Sequence, residues 1–586
     1  MKAIFTLKME LKISDNKLQM ISLYELSAEV SLTNNENELE NENNCKYECL
    51  WNMCKKMDLI MWIRLLKYEY YRPEMMQFYQ KLIDNKYPIG QKITSIFKDI
   101  CLNCVNGNKE YIMKSINYGL IIGTFLSEAS WYAESEQILF ETKKLTEMLP
   151  KNISSIKLKL ECCHRLFHTL IMYFKFDDAE ALINEIMSLI LDLKKYDEYQ
   201  NYALLYTEFS RYNFFKNDYE ESHKWIKKAI NCLHERTAIS TQIQVLRQAS
   251  KVHIVKRDFN KAKFFIHQAL ARAEQHYGSG YYKSVGLLLD FAFYLLNSDN
   301  IEQSVAIYEE AYQLRTKMFG SEKNNLHIAI AEEDLAYALY VQEYNNGYFD
   351  VAMDHAQQAI ATMKEILPEG NLMLCSANRV KALILEEQAL DSYQNSEEKK
   401  ILVNEMLMEA EKLHKKALSL TKHIFGEENI LTAKHYGNLG RLYQSMRKFE
   451  DAEEMHLKAI EIKERILGVD DYEVGLSIGH LACLYNYHMY KYTKAEVLYH
   501  RSININLKLF SPSYSGLEYD YRGLIHVYEH LGDNQQFLKF SHKLRQWTAL
   551  RNKCVSKVIG PDFYKIISIA PLENIITMFS TSFSKE

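Results

Sequence analysis

Residues that break helices are scarce in this sequence: its 586 residues include only 7 prolines and 20 glycines. An all-β chain of this length needs many more turn residues, so the scarcity favours long helices. No apolar run reaches the roughly 18 residues that a membrane-spanning helix needs. The N-terminus has no secretory leader pattern, and the 11 cysteines are scattered and odd in number. We therefore expect reduced thiols and a cytoplasmic or nuclear location.

Signatures of catalysis and metal binding are also missing. The sequence has no glycine-rich phosphate loop, no GxSxG nucleophile elbow and no HExxH zinc motif. Cys101 and Cys104 form a lone CxxC without the second pair that a zinc site needs. His164 and His168 share a helix face, but neighbouring leucines mark that segment as helix core. We therefore predict a protein that is not an enzyme and that carries no cofactor or metal.

The charge balance argues against nucleic acid as a partner. The formal net charge is −5, and acidic runs such as residues 331–334 interrupt any basic groove. The 41 tyrosines and 26 phenylalanines could stack on RNA bases, but many fall at core positions of the repeat described next. Core packing is the favoured explanation, and we predict no nucleic-acid binding.

The sequence repeats itself. In residues 436–443 a small residue, Gly440, is followed three positions later by Tyr443. The same order returns with Ala482 and Tyr485, 42 residues further on. The small residue lets two helices approach closely, and the aromatic ring on the same face fills the gap. This pattern resembles the tetratricopeptide repeat, a pair of antiparallel helices that is stable only when neighbouring pairs stack.

Two further markers extend the repeat upstream. A small residue recurs in the second helix of each copy, at Ser135, Ala179, Ser222, Ala262, Ser304, Ala352, Ala410, Ala452 and Ala495. A glycine that suits a left-handed helix end follows several copies, at Gly278, Gly320, Gly426 and Gly468. The spacing predicts an all-α, right-handed superhelix of tetratricopeptide-type helix pairs. We expect about nine or ten repeats, with a period of about 42 residues, over residues 116–550.

The ends of the chain follow other patterns. Residues 1–46 form a divergent segment with an acidic low-complexity loop at 33–44. Residues 47–115 are predicted to be helical without fitting the repeat, as a cap or docking region, and 551–586 form a C-terminal tail. Within the array, Gly440 is expected where two helices touch, with Ala452 facing it.

Several stretches go beyond what the repeat requires. They are residues 246–251, 292–297, 333–337, 379–387, 434–449 and 514–524. Together they resemble the amyloid protein-binding protein 2 family, tetratricopeptide relatives of kinesin light chains, over roughly residues 110–553. The resemblance implies a protein-binding adaptor with two roles. One is to bind the cytoplasmic tail of amyloid precursor protein in association with microtubules. The other is to receive substrates with Arg/Gly-containing C-terminal degrons for a cullin–elongin ubiquitin ligase.

The N-terminus departs from the family. The family's elongin-binding element is an N-terminal helix with apolar residues at fixed spacing. The nearest candidate here, residues 22–31, places Ser27 and Ser31 at the two apolar positions. Two functions therefore stay open: a ligase substrate receptor, or a trafficking and motor adaptor without ligase assembly. A homodimer is a further open alternative.

The candidate binding residues follow from helical periodicity. In such arrays the residues at fixed positions of each first helix line the concave surface. With Gly440 as reference, Lys434, Asn438 and Arg441 point inward. The corresponding positions of other repeats hold Arg247, Lys251, Asp290, Glu333 and Asp334. Cations and amides of this kind hold a peptide backbone or terminal carboxylate, and acids hold an arginine. We predict binding of short peptide segments or C-terminal tails, the alternative being that these are only solvated charges.

Overall fold

The computed structural model describes residues 72–104, 108–196, 202–278, 282–320, 324–344, 347–391, 397–555 and 567–581, with Ile63 and Leu66 before them. These residues form 23 α-helices and a π-helix of 5 residues, and no β-strand occurs among them. The predicted all-α array of tetratricopeptide-type helix pairs is confirmed. No helix in these ranges is both long and apolar enough to cross a bilayer. The division of the chain into domains stays a prediction, and its segment 1–46 lies outside the described residues.

Consecutive helices form antiparallel pairs. Helices α1 (Arg72–Asp84) and α2 (Ile89–Asn103) come first. Ten pairs follow, which we number 1 to 10: α3 (Lys109–Glu128) and α4 (Tyr132–Glu147), α5 (Ile153–Met172) and α6 (Phe176–Lys194), α7 (Tyr202–Phe215) and α8 (Tyr219–Asn231), α9 (Ile239–Val255) and α10 (Phe259–Tyr277), α11 (Tyr282–Asn297) and α12 (Ile301–Phe319), α13 (Leu326–Glu343) and α14 (Asp350–Ile366), α15 (Leu372–Asp391) and α16 (Glu397–Phe425), α17 (Ile430–Ser445) and α18 (Phe449–Leu467), α19 (Tyr472–Cys483) and α20 (Tyr492–Leu509), and α21 (Gly516–Leu531) and α22 (Asn534–Val555). The π-helix Leu484–His488 extends α19, and α23 (Leu572–Ser580) follows pair 10.

The turn inside a pair has the same backbone conformation in most pairs. One residue there adopts a positive φ, for example Ser130 (68°) and Phe174 (61°). The next residue donates its backbone N–H to a carbonyl five positions back, as Trp131 does to Leu126 at 2.9 Å. This closure satisfies a free carbonyl at the helix end and sets the direction of the second helix. The turn between α1 and α2 is closed in the same way around Lys86 (φ 62°). Only the turn is shared, because α1 packs on α12 of pair 5 more closely than on α2, and the sequence of α1 and α2 does not fit the repeat pattern.

Small residues let the two helices of a pair approach closely. The Ser135 hydroxyl donates to the Gly123 carbonyl at 2.7 Å, and the Ser304 hydroxyl donates to the Ala292 carbonyl at 2.8 Å. Ser222 makes the equivalent bond in pair 3. These serines save space at the contact and also find an acceptor, which a buried hydroxyl requires. Three of the small residues predicted from the sequence, Ser135, Ser222 and Ser304, thus lie where the two helices of a pair are in contact.

Glycines end the second helices of several pairs, in a conformation that differs from the predicted one. Gly278, Gly320 and Gly468 have φ of 80°, 100° and 90°, with ψ of 172°, 171° and 159°. The positive φ was expected, but the extended ψ was not, because a left-handed helical cap has a small ψ. Only glycine reaches this region readily, since a β-carbon would clash with the backbone.

The two largest apolar cores lie along the array. The main core extends from Leu139 in pair 1 to Leu442 in pair 8, and the second joins residues of pairs 8 to 10. The main core also includes Ile575 and Phe579 of α23. The chain's last described helix is therefore packed against the array.

The array coils tightly enough for pairs 6 to 8 to touch pairs 1 to 3. An asparagine directly precedes each of the helices α13, α15 and α17, and its amide oxygen caps that helix. These residues are Asn325, Asn371 and Asn429. The amide nitrogen of each donates to a carbonyl in the turn of the pair five places earlier. The acceptors are the carbonyl oxygens of Ala129 (3.2 Å), Tyr173 (3.1 Å) and Lys216 (2.9 Å). Each acceptor directly precedes the positive-φ residue of its turn.

Pairs 9 and 10 touch pairs 4 and 5 through charged and aromatic groups. The Arg257 guanidinium lies 4.1 Å from the centre of the Tyr472 ring. Ser515 donates its backbone N–H and its hydroxyl to the Asp299 carboxylate at 2.9 Å and 2.6 Å, and Arg551 binds the same carboxylate. Pairs 6 to 10 therefore contact pairs 1 to 5, so successive turns of the superhelix touch.

Gly440 lies where α17 and α18 touch, as expected, but the residue against it is His456 rather than Ala452. A β-carbon at Gly440 would lie 2.8 Å from atoms of the buried His456 ring. Gly437 on the same helix offers a matched control. A β-carbon there would be 3.9 Å from its nearest neighbour, the Ala459 β-carbon.

We expect Gly440→Ala to lower the melting temperature, because the overpacked contact costs about 1–3 kcal/mol. Gly437→Ala should raise the melting temperature slightly, because alanine is favoured over glycine in a helix by about 1 kcal/mol. Thermal melting followed by circular dichroism measures both variants. Equal melting temperatures would contradict a tight contact at Gly440.

The cross-turn bond of Asn429 can be separated from its capping role. Aspartate in its place keeps a capping oxygen but replaces the donor to the Lys216 carbonyl with a second acceptor. We expect Asn429→Asp to lower the free energy of unfolding by about 1–3 kcal/mol, the cost of an unpaired group. Asn108→Asp is the control, because Asn108 caps α3 at an exposed position. That change should be neutral or slightly stabilising at a helix N-terminus. Urea denaturation compares the two, and equal effects would argue against a stabilising cross-turn bond.

Candidate peptide-binding site

The eight predicted binding residues all lie on first helices. Arg247 and Lys251 are on α9, Asp290 is on α11, Glu333 and Asp334 are on α13, and Lys434, Asn438 and Arg441 are on α17. Asp290 is buried and the other seven are half-buried. The structure sorts these residues into groups that differ in how far their charges are already paired.

Asp290 holds two of the predicted cations. Arg247 Nε lies 2.6 Å from one carboxylate oxygen of Asp290, and Lys251 Nζ lies 3.3 Å from the other. Burial alone would raise the pKa of Asp290, but the two cations hold the pKa below its usual value. Gly286 permits this arrangement, because a β-carbon there would lie 2.9 Å from the Arg247 guanidinium. Asp290 is thus engaged by its neighbours and is not a free anion.

Asp334 is in a different state. Burial, followed by the adjacent Glu333, raises the pKa of Asp334 to about 7, and Arg315 only partly opposes the shift. Burial also raises the pKa of Glu333. Within the ranges that the structure describes, no ion pair to Asp334 is formed. A cationic side chain of a ligand would favour the ionised form, so Asp334 is the acid best suited to receive one.

Arg441 is engaged by two acids of α15. Its Nη2 atom lies 3.1 Å from the Glu386 carboxylate and 2.9 Å from the Glu387 carboxylate, and its guanidinium donates to the Tyr340 hydroxyl at 3.2 Å. Glu386 is only 2% exposed, so this cation is the charged partner of a buried carboxylate. Burial raises the pKa of Glu387 to about 7, so part of Glu387 is protonated at neutral pH. A second carboxylate could then replace Glu387 on Arg441.

Lys434 lies at the contact between turns. Its Nζ atom is 2.9 Å from the Glu473 carboxylate, which also lies 3.2 Å from Lys463 and 3.9 Å from Arg257 of pair 4. Burial would raise the pKa of Glu473, but the surrounding cations lower it. Glu473 therefore joins Lys434 and Lys463 of pair 8 to Arg257 of pair 4, and Lys434 and Arg441 are engaged by different acids.

Asn438 is the member of the predicted set whose amide is available. It is half-buried on α17, three residues before Arg441, and therefore on the same face of the helix. Among the described residues no hydrogen bond engages its side-chain amide. An amide in this position can donate to and accept from a peptide backbone.

Two residues of pair 3 extend the polar face beyond the predicted set. Glu208 and Arg211 bind each other at 2.7 Å, and His168 of pair 2 lies 3.0 Å from the Glu208 carboxylate. The sequence could have indicated this ion pair, because Glu208 and Arg211 are opposite charges three positions apart on a first helix.

We call the polar surface formed by these side chains of the first helices the inner face. It consists of Glu208, Arg211, Arg247, Lys251, Asp290, Glu333, Asp334, Glu387, Asn438 and Arg441. In the described part of the chain, no three His, Cys, Asp or Glu residues are grouped to hold a metal ion.

Known proteins confirm the repeat and the resemblance. A family model described as "Tetratricopeptide repeat" matches residues 403–465. Amyloid protein-binding protein 2 of Mus musculus is 42% identical over 475 residues, which are 81% of this chain and 80% of that protein. The protein of the same name from Rattus norvegicus gives the same values. The chain belongs to the amyloid protein-binding protein 2 family. It is therefore a tetratricopeptide adaptor that binds proteins.

Solved structures with similar helical arrays are more distant. A Rap protein complexed with competence and sporulation factor is 16% identical, with a TM-score of 0.40, over 68% of this chain and 99% of that chain. The apo form of the quorum sensor NprR from B. thuringiensis is 14% identical, with a TM-score of 0.41, over 67% of this chain and 99% of that chain. These similarities concern the fold alone.

Arg441 and Asn438 are expected to differ sharply in their effect on stability. Arg441→Ala would leave Glu386 buried without its cation, so we expect a loss of about 3–5 kcal/mol in the free energy of unfolding. Asn438→Ala on the same helix should change it by less than about 0.5 kcal/mol. Urea denaturation of both variants measures the difference. A similar, small effect of both changes would mean that Glu386 does not depend on Arg441.

Proposed function

We propose that this chain is a non-catalytic adaptor whose inner face holds short extended segments or C-terminal tails of client proteins. The observation that carries the proposal is the combination of two available groups, the acid Asp334 and the amide Asn438, with charges that are already held in place. Ligand binding to such a face orders few protein side chains, so less binding energy is lost to conformational entropy.

The groups on the inner face suggest how a client would be held. An arginine or lysine of the client pairs with Asp334, and the client's main chain bonds to the amide of Asn438. A terminal carboxylate of the client competes with Glu387 for the Arg441 guanidinium. Glu387 is a weak competitor near neutral pH because burial raises its pKa to about 7. Arg247, Lys251 and Asp290 contribute an ion-paired wall rather than free charges.

The family relation supports more specific roles as part of the proposal. The relatives are named for binding an amyloid protein, so the cytoplasmic tail of amyloid precursor protein is a proposed client. Substrate reception for a cullin–elongin ubiquitin ligase that reads C-terminal degrons, and association with microtubules, are also proposed. These roles place the protein in the cytoplasm, at cytoskeleton and membranes, and in the nucleus. A trafficking and motor adaptor without ligase assembly is the alternative.

The proposed site is tested with a labelled peptide that ends in an Arg/Gly-type C-terminal sequence. We expect Asp334→Asn to weaken binding about 10- to 100-fold, because a charge-assisted hydrogen bond contributes about 1.5–3 kcal/mol. Asp354→Asn is the control, since Asp354 is exposed on α14, the second helix of the same pair. Fluorescence anisotropy gives both affinities. Unchanged binding by Asp334→Asn would move the site away from the inner face of pair 6.

The raised pKa of Asp334 predicts that the affinity for this peptide depends on pH. Because this pKa is about 7, the carboxyl is mostly neutral at lower pH and mostly an anion at higher pH. A cationic peptide binds the anion, so its affinity should rise about tenfold from pH 6 to pH 8, following the ionised fraction. The rise should disappear in Asp334→Asn and with a peptide whose arginine is replaced by glutamine. Glu387→Gln should retain it. A pH dependence that survives Asp334→Asn would assign the titration to another group.

Co-purification of elongin with the tagged full-length chain separates the two proposed roles. Residues 22–31, the nearest candidate for the elongin-binding element, lie outside the described residues. Elongin in the complex would support the ligase receptor. Its absence, with clients still bound, would favour the trafficking adaptor.

A further inference from the structure

Residues 567–581, the last described segment, pack on pairs 3 and 4. The Phe579 ring has its centre 5.0 Å from the His223 ring of α8 and 5.1 Å from the His253 ring at the end of α9. Phe265 of α10 lies 5.9 Å from the same ring. Ile575, one helical turn before Phe579, is fully buried. Helix α23 therefore fills an apolar groove formed by α8, α10 and the end of α9.

Long polar side chains of α10 hold the main chain of this segment. Arg272 donates to the Ala570 carbonyl at 2.7 Å, and the Ala570 N–H donates to the Gln268 side chain at 2.8 Å. Lys261 donates to the Thr581 carbonyl at 2.6 Å. These three side chains lie along one face of α10 and are almost completely buried. Because these side chains bond only to backbone atoms of the segment, the hydrogen bonds do not depend on which side chains the segment carries.

The segment contributes few anchors of its own. Of its described residues only Ile575 and Phe579 are buried. Helix α23 has 9 residues, too few to be stable alone in water. Only these two buried side chains and the backbone hydrogen bonds offset the entropy of ordering the segment.

The segment completes the surface of the groove. It packs against Phe265 and His253 and supplies carbonyl acceptors to Lys261, Gln268 and Arg272. An apolar pocket bordered by a few convergent polar groups is the usual form of a binding site. The inner face lies on first helices, whereas the groove is formed mainly by the second helices α8 and α10, and the two surfaces share only α9.

We propose that the groove formed by α8, α10 and the end of α9 is a second peptide-binding site, with residues 567–581 as its built-in ligand. Its external ligands are partner helices with an aliphatic and an aromatic side chain four positions apart, because Ile575 and Phe579 are the side chains that the groove buries. The segment competes with such a partner for the groove, and because it is part of the same chain it does so at a high effective concentration. The proposal does not depend on what binds the inner face.

The test uses the full chain with Ile575→Asp and Phe579→Asp, which expels the segment, and a labelled peptide of residues 567–581. We expect the peptide to bind this variant at least about tenfold more tightly than the wild type, whose own segment occupies the groove. Lys261→Ala added to the variant should weaken peptide binding. Lys263→Ala is the matched control, since Lys263 is exposed on the same helix and should leave binding unchanged.

A second peptide defines the ligand class. It is an alanine, glutamine and lysine helix that carries only one isoleucine and one phenylalanine, four residues apart. We expect it to bind the variant within about tenfold of the native segment, because helix-in-groove recognition depends on such anchors. Failure of this peptide while the native one binds would overturn the partner site and leave an intramolecular clasp.

Hydrogen exchange of the unmodified protein keeps the proposal testable if the variant is poorly folded. Amides of α23 should exchange at least about 100-fold faster than those of α10, because the segment opens without unfolding the array. Equal protection of the two helices would show that the segment is a fixed part of the fold and would refute the proposal. So would equal peptide binding by the wild type and a folded variant.

Discussion

A hydrogen bond from an asparagine amide to a backbone carbonyl five pairs away holds the turns of the superhelix together in pairs 6 to 8. Asn429 uses both ends of its amide, because the oxygen caps α17 and the nitrogen reaches the Lys216 carbonyl. That carbonyl is available because the next residue, Asn217, has a positive φ and ends the helix before it. The predicted binding residues on the first helices are correspondingly buried or half-buried rather than fully exposed.

Burial accounts for the ionisation of the inner face. Asp334 and Glu387 are half-buried, yet the pKa of each is raised to about 7 because protein rather than water surrounds them. Where a cation is built in, as Arg247 is beside Asp290, the acid stays ionised. The face therefore combines ion pairs that keep its shape with Asp334, which forms no ion pair among the described residues and whose charge a ligand can stabilise. Its affinity for a cationic client would then respond to pH.

The predicted binding residues illustrate the limit of reasoning from periodicity. Position in the helix correctly assigned Arg247, Asp290 and Arg441 to first helices, because a residue's face depends only on its place in the helix. Periodicity did not indicate that Asp290 is already paired or that Lys434 lies between turns. The small-residue rule located Gly440 at a helix contact but not the ring against it, because side-chain size at neighbouring positions does not specify rotamers.

The sequence alone determined the helix pairs, their order and the points where the two helices of a pair meet. These features depend on residues close together in the chain, such as Ser304 and the Ala292 carbonyl, 12 positions apart. Only the tertiary structure decided which charges are free and which are paired, because their partners come from other pairs. It also decided that turns separated by about 200 residues touch, as Asn429 and Lys216 do across a sequence separation of 213 residues. Only the tertiary structure decided that residues 567–581 dock on α10, because the contacts are made to backbone carbonyls, which the order of side chains does not reveal.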